Sequence, residues 1–265
     1  MTPAYRLVMA GSLVVVGTGI RIAGQLTEEA LLAIRTAEKL FYLVNDGPSG
    51  ARLAALNPSA ESLEHLFAVG KARRQSYEEI VEHVLSVVRE GRAVCLAFYG
   101  HPGVFCTPGH EAVRRARGEG LRARMLPGIS AHDSLIADLG LDPGDGCQTF
   151  EATRFLVHAP TFDRRVPLVL WQIGNMGRQD FAPEEVSTGG GLGVLAAFLG
   201  ERYGLEHEVL VYWAALLPGA EPVVQRMMIE DLRTARVDSM ATLYVPPVSG
   251  PEPDPGLQAR LNFTG

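Results

Sequence analysis

His101 stands in the turn "GHPG" (100–103), directly after the apolar run "AVCLAF" (93–98) and Tyr99. An imidazole takes and gives a proton near neutrality. Two readings of His101 are therefore open: a general base, or a ring hydrogen-bonded to hold its own turn. A glycine-bearing turn after a buried strand is also where a phosphate or cofactor is commonly held, yet G-x-x-x-x-G-K-[ST] is not matched here. Gly17 and Gly19 in "VVVGTGIRIAG" (14–24) start a dinucleotide fingerprint, but its third glycine falls at position 22, where Ile22 stands. The two glycines either let a backbone approach a ligand or simply turn the chain. In "MLPGISAHD" (125–133), Ser130 opens a helix, so its hydroxyl and the free N–H groups there either meet a carboxylate or ribose or serve only as a cap.

These residues are positioned by short apolar runs that alternate with longer amphipathic segments, the pattern of an α/β protein with mostly parallel sheets. Strands are predicted at 12–17, 40–44, 93–98 and 121–126, and later at 167–174, 208–214 and 240–245. Thr27 predicts the N-cap of a helix over 27–39, with Glu28 and Glu29 in its first turn. "SYEEIVEHVLSVVREG" (76–91) predicts another, with Ser76 and Glu79 as a capping box and Gly91 closing it. Further helices are expected from Pro108 to Gly118, within 127–140 and near 192–203. Three glycine-bearing strand ends fall in one half of the chain, which points to a ligand cleft at the carboxyl edge of a parallel sheet. Two α/β domains are expected, residues 1–126 and 127–247, with an extended tail over 248–265 that begins in "PPVSGPEPDPG" (246–256).

The chain has 265 residues, 47% of them apolar and 20% charged, which suffices to bury sizeable cores. A net charge of −6 argues against an electrostatic nucleic-acid binder, with "GKARRQ" (70–75) a candidate for a local basic patch. Cys95, Cys106 and Cys147 show no C-x-x-C spacing, so neither a disulfide framework nor a zinc site is indicated, and a cytoplasmic home is the expectation. No run of about 18 apolar residues is present, so no membrane association is expected.

Taken in order, "VVVGTGI" (14–20), "FYGHPGVF" (98–105), "MLPGISAHDSLIADLG" (125–140), "VLWQIGNMG" (169–177) and "ATLYVPP" (241–247) resemble the tetrapyrrole methylase superfamily. The longer stretches "KLFYLVND" (39–46), "GKARRQSYEEIVEHVLSVVREGRAV" (70–94) and "ARMLPGISAHDSLIADLGLDPGDGCQTFEAT" (123–153) are similar to the borosin-type peptide backbone α-N-methyltransferases within it. The resemblance spans residues 11 to 247. It implies two α/β domains of the class III methyltransferase type, with S-adenosylmethionine in the cleft between them and S-adenosylhomocysteine as product. It also implies that His101, Val104 and Phe105 contact this cofactor, with Ser130, Ala131, Gln172, Tyr212, Ala241 and Thr242.

A backbone amide nitrogen is a poor nucleophile because its lone pair is delocalised into the carbonyl, so its methylation requires loss of the proton or weakened resonance. The positions matching the family's candidates for that task are Arg73 and Tyr77, with Tyr99 across the pocket. Tyrosine titrates near pH ~10, and a neighbouring guanidinium favours the phenolate. Tyr77 is thus expected as base and Arg73 as its electrostatic partner, either beside the phenolate or polarising the amide oxygen. A surface cation–π pair is the competing reading of an Arg and a Tyr four residues apart.

The family places tyrosines just upstream of the basic cluster, where this chain has Glu64, His65 and Phe67. Fused fungal members continue into the apolar peptide they methylate, and "GLQARLNFTG" (256–265) is no such peptide. The expectation is a precursor peptide supplied in trans to a homodimer, or a heterotetramer with the precursor. Two alternatives share the cofactor loops. A small-molecule tetrapyrrole methyltransferase has no need of Arg73 with Tyr77, and a weakly active S-adenosylmethionine-binding partner would bind without turnover.

Overall fold

The computed structural model describes residues 11–21, 24–44, 46–178, 187–188, 190–250 and 253–262. Ile22 lies outside them. The chain divides into two compact units: residues 1–139 with 179–182 and 214–221, and residues 140–178 with 183–213 and 222–265.

In the first unit the elements are β1 (Ser12–Gly17), α1 (Glu28–Thr36), β2 (Lys39–Leu43), α2 (Gly47–Leu56), β3 (Glu61–Ser62), α3 (Arg73–Arg89), β4 (Ala93–Phe98), α4 (Thr107–Gly118), β5 (Arg122–Met125) and α5 (Ala131–Leu139). The strands form one sheet in the order β3-β2-β4-β1-β5, with every pair parallel. Period-two alternation explains why the central strands are apolar throughout. Leu13 and Val15 of β1 and Val94, Leu96 and Phe98 of β4 pack with α3 and α4. Val16, Cys95 and Ala97 point the other way, into a cluster with Ala30 and Ile34 of α1 and Leu53 of α2.

Thr27 is the N-cap of α1, its hydroxyl accepting from the Ala30 N–H at 3.2 Å. Helix α3 departs from expectation. It begins at Arg73, with Ala72 as an N-cap that offers no side-chain bond, and Ser76 lies buried inside it. The supposed capping box fails because Ser76 is four residues before Ile80 and eight before Val84, which places it on the buried stripe. Gly91, with φ of +92°, follows the end of the helix.

The second unit contains β6 (Gln148–Glu151), α6 (Ala152–His158), β7 (Leu168–Trp171), β8 (Ser187–Thr188), α7 (Gly190–Tyr203), β9 (Glu208–Trp213), β10 (Val223–Met228), β11 (Arg236–Val237), β12 (Thr242–Val245) and α8 (Pro255–Leu261). Its main sheet runs β10-β9-β12-β7-β6, and only β6 with β7 is parallel. The expectation of mostly parallel sheets is thus corrected for this half. Strands buried in a sheet read as apolar runs whatever their direction, so composition did not disclose the antiparallel order. The tail is likewise not extended throughout, because Asp254 caps α8, accepting from the Gly256 and Leu257 N–H groups.

Candidate functional site

At the carboxyl edge of the parallel sheet, the loops that follow β1, β4 and β5 meet backbone to backbone. Gly100 N–H donates to the Gly19 carbonyl at 2.9 Å, and Thr18 N–H donates to the Phe98 carbonyl at 2.8 Å. Gly19 and Gly100 have φ of +76° and +70°, a region that admits glycine freely. A Cβ on Gly128 would lie 3.3 Å from both the Gly100 oxygen and the Gly17 Cα, so the third loop joins the same cluster.

His101 closes its own turn: its Nδ1 accepts from the Gly103 N–H at 2.9 Å. His110 Nε2–H donates to the Gly103 carbonyl at 2.8 Å. An Nδ1 that accepts leaves the proton of a neutral ring on Nε2. Beyond this brace, Val104 and Phe105 are 41% and 48% exposed, and Phe105 holds φ of +52°. A non-glycine residue in the left-handed region is a strained position of the kind found at ligand-holding turns.

Ser130 forms a reciprocal cap with Asp133. Its hydroxyl accepts from the His132 and Asp133 N–H groups and donates to Asp133 Oδ2 at 2.7 Å, while Ser130 N–H donates to the same oxygen at 2.6 Å. Burial works to raise the Asp133 carboxyl, but the Ser130 bonds outweigh it and hold the group below its ordinary value. The Ser130 side chain is therefore committed to the cap, and half-buried Ala131 follows it into α5.

Arg73 and Tyr77 sit one turn apart at the start of α3, and the Tyr77 ring meets Phe67 edge-on at 6.2 Å. Burial pushes the Tyr77 phenol above 10.0; the Arg73 guanidinium pulls the other way without prevailing, and Cys106 adds to the rise. The expected phenolate is thereby corrected: desolvation wins, and the resting group is a phenol. Burial, with the Asp46 charge beside it, pushes Tyr99 up to about 12. Asp46 and Cys106 are thus neighbours of the candidate tyrosines that the sequence did not single out. Asp46 reads as an ordinary N-cap, accepting from the Ser49 N–H at 2.6 Å, and Cys106 as an ordinary half-buried thiol.

In the second unit, Gln172, Tyr212, Ala241 and Thr242 come together at adjoining strands. Gln172 follows β7 with φ of +59°, and the next residue, Ile173, donates its N–H to the Ala241 carbonyl at 3.3 Å. Thr242 stands opposite Tyr212 across β12 and β9. Tyr212, Ala241 and Thr242 are buried while Gln172 is half-buried. A left-handed glutamine at a strand end is a backbone signal that no spacing rule in the sequence carries. Among the described residues, no group of three or more His, Cys, Asp or Glu side chains is arranged to hold a metal ion, and no helix is long and apolar enough to cross a membrane.

A parallel five-stranded α/β unit whose strand-end loops form a glycine cluster, followed by a unit built on a mixed sheet, is a methylase architecture. Uroporphyrin-III-C-methyltransferase from Thermus thermophilus has the same fold, with a TM-score of 0.63 at 23% identity over 96% of this chain and 97% of that one. Residues 12–229 match the tetrapyrrole (corrin/porphyrin) methylase family, and the chain belongs to it. It is 40% identical over 259 residues to the methyltransferase/ribosomally synthesized cyclic peptide gymnopeptides precursor of Gymnopus fusipes, covering 96% of this chain and 61% of that protein. It is also 40% identical over 262 residues to a methyltransferase/ribosomally synthesized type I borosin cyclic peptide precursor of Coprinopsis marcescibilis, covering 96% and 65%. The chain spans about three fifths of the length of the curated relatives it matches.

Proposed function

We propose that this chain transfers methyl groups from S-adenosylmethionine to backbone amide nitrogens of a ribosomally made precursor peptide supplied as a separate chain. The observation that carries this reading is the 40% identity, over 96% of the chain, to proteins whose names join a methyltransferase to a peptide precursor. Family membership alone leaves the substrate class open.

The residues present fit the cofactor. The glycine cluster lets three backbones close up at a sheet edge, and Val104 and Phe105 offer exposed apolar surface there. His101, Val104, Phe105, Ser130 and Ala131 would hold it from the first unit, through backbone and apolar contacts where Ser130 is already engaged in its cap. Gln172, Tyr212, Ala241 and Thr242 are the second unit's candidates for the same role, as the family resemblance implies. S-adenosylmethionine supplies an electrophilic methyl group on a sulfonium and leaves as S-adenosylhomocysteine.

Tyr77 accepts the amide proton while the nitrogen lone pair forms the new N–C bond. Its resting phenol must first give its proton to water, and Arg73 lowers the cost of that step. In this reading Arg73 also stabilises the negative charge that spreads onto the amide oxygen as the N–H proton leaves. Tyr99 stays a phenol and donates a hydrogen bond. Homodimerisation is part of the proposal, because an enclosing second subunit would keep water from the peptide.

The test is to incubate the chain with S-adenosylmethionine and a separate apolar peptide, then locate 14-Da increments by tandem mass spectrometry, the mass of one added CH2 group, as roughly expected for N-methylation. Increments on backbone amides are expected. Methyl groups confined to side chains, or none at all, would overturn the reading.

A further inference from the structure

The segment from Leu66 to Arg73 brings Phe67 against Tyr77. Leu66 ends a single turn (Glu64–Leu66), and Phe67 follows with its N–H donating to the Glu64 carbonyl at 3.0 Å. The chain then reverses through Ala68–Lys71, where the Lys71 N–H donates to the Ala68 carbonyl at 3.0 Å and Gly70 holds φ of +75°. A third turn residue in the left-handed region is what a type II turn demands, and glycine admits it. Ala68, Val69 and Gly70 are exposed, Val69 by 83%, so apolar burial does not pin this turn.

Lys71 supplies the missing anchor. Its ammonium donates to the Leu66 carbonyl at 2.7 Å and to Glu79 Oε2 at 2.5 Å, and the other Glu79 oxygen accepts from Gln75 Nε2 at 3.1 Å. The peptide group that joins Leu66 to Phe67 is thereby tied to the second turn of α3. The Lys71 side chain is only 19% exposed, which spares the tie much of the screening that weakens ordinary surface ion pairs. The Lys71 bond also holds the Glu79 carboxyl below its ordinary value, so it stays ionised through neutral and mildly alkaline pH.

Tyr77 and Glu79 are two residues apart and so lie on different faces of α3. The segment therefore straddles the start of the helix: Lys71 anchors it on the Glu79 face, and Phe67 meets the Tyr77 ring edge-on, at 6.2 Å and 76°, on the other. Leu66, Phe67, Tyr77 and Cys106 pack against one core cluster, so the seat of Phe67 decides how much water reaches the phenol.

We propose that Lys71 is a positioning residue for Tyr77: by tying the Leu66 carbonyl to Glu79 it seats Phe67 against the Tyr77 ring and keeps water from the phenol. Its bearing on methyl transfer rests on the reading of Tyr77 as the base. Lys71 acts through Phe67 and not through its own charge, because its ammonium is matched by Glu79, whereas the charges that act on Tyr77 are those of Arg73 and Cys106. The two routes predict opposite signs. Loss of a nearby positive charge raises a phenol's pKa, and readmitted water lowers that of a buried one.

The first measurement needs neither cofactor nor peptide. N-Acetylimidazole at neutral pH acetylates tyrosines according to their access to solvent, and digestion with mass spectrometry locates the acetyl group. Lys71→Met should raise acetylation of Tyr77 by about three- to ten-fold, as loss of a local closure permits. Phe67→Ala and Glu79→Gln remove the ring and the anchoring charge, and each should give a rise of the same sign. Lys71→Arg has donors for both acceptors and should stay within about two-fold of the parent. Arg89→Met breaks the ion pair to Glu119 at the far end of the same helix; it controls for lost stability and should leave Tyr77 as in the parent. In single turnover with S-adenosylmethionine and an apolar peptide, the rate of Lys71→Met should level off at a lower pH than that of the parent. Unchanged acetylation in Lys71→Met, an equal rise in Arg89→Met, or a profile moved to higher pH would overturn the positioning role. The expected acetylation pattern in a protein that methylates no peptide sinks the base reading and leaves the seating of Phe67 standing.

Discussion

A methyl group added to Gly17 would stand 2.1 Å from the carbonyl oxygen of Gly100 and 2.8 Å from Pro102 Cδ. The two strand-end loops that flank the candidate cofactor site are in contact through their main chains. Neither atom met is the tip of a flexible side chain, so the backbones themselves must part. Gly17→Ala should cost about 3 kcal/mol, which for a chain of this size lowers the melting temperature by roughly 6–12 °C. S-adenosylmethionine affinity by calorimetry should fall with it. At Gly128 the closest atoms are 3.3 Å away, so Gly128→Ala should shift the melting temperature by less than half as much. Equal effects would show that the loops are not held at the observed spacing.

Tyr77 makes a pH prediction. Its phenol lies above 10.0 because burial outweighs Arg73, so between pH 7 and 9 the ionised fraction rises about ten-fold per unit. If Tyr77 is the base, the single-turnover rate should climb with that slope and level off only above pH ~10. Tyr77→Phe should lower the rate by about 10²–10⁴ and remove the slope, while the ring contact with Phe67 preserves the melting temperature. Arg73→Met should move the profile to higher pH, because the charge that favours the phenolate is gone. A flat profile in the parent protein would remove Tyr77 from the base role.

The first unit was legible because its signals are local and repeated. Thr27 caps α1 and the strands run as apolar blocks, with glycines that end β1 and reappear in the turns after β4 and β5. What escaped was set by tertiary context. Ser76 and Glu79 satisfy the capping-box spacing, but the stripe Ile80, Val84, Val88 extends back to Ser76 and buries it. Strand β3, two residues long, carries no periodicity at all. The Arg73–Tyr77 spacing was visible, whereas the outcome of their electrostatics was not, since desolvation depends on Phe67 and the neighbouring elements. The left-handed backbone of Gln172 follows from where β7 ends and leaves no trace in residue type.

Asn57 shows how the first unit's helices are tied to its sheet. Its buried amide donates to the carbonyls of Ile34 at 2.7 Å and Ala37 at 2.9 Å, at the end of α1. Its oxygen accepts from Ser59 N–H and Oγ–H at 2.9 and 2.7 Å, and Ser59 Oγ in turn accepts from the Leu40 N–H of β2. Asn57→Leu keeps the volume but strands these partners, so a loss of about 3 kcal/mol is expected in urea unfolding. Asn57→Asp, which keeps the acceptor and loses the donor, should fall between the two. A loss under about 0.5 kcal/mol for Asn57→Leu would show that water replaces the network.

Ser76 is the opposite case. Its Oγ is buried within α3 and meets no hydrogen-bond partner among the described residues, although buried hydroxyls are almost always paired. Water solvates that hydroxyl in the unfolded chain and no described residue bonds it in the folded one, a penalty of about 1–3 kcal/mol. Alanine removes the penalty and is also the better helix former by roughly 0.5 kcal/mol, while the volume lost is a single atom. Ser76→Ala should therefore raise the melting temperature by about 2–4 °C for each kcal/mol gained, in a helix whose first turns carry Arg73 and Tyr77. Its methyl-transfer rate should stay within about two-fold of the parent, because the hydroxyl points into the core rather than toward the candidate catalytic pair. A fall in melting temperature would mean that the hydroxyl is paired in solution, and high-resolution diffraction should then show a water beside it.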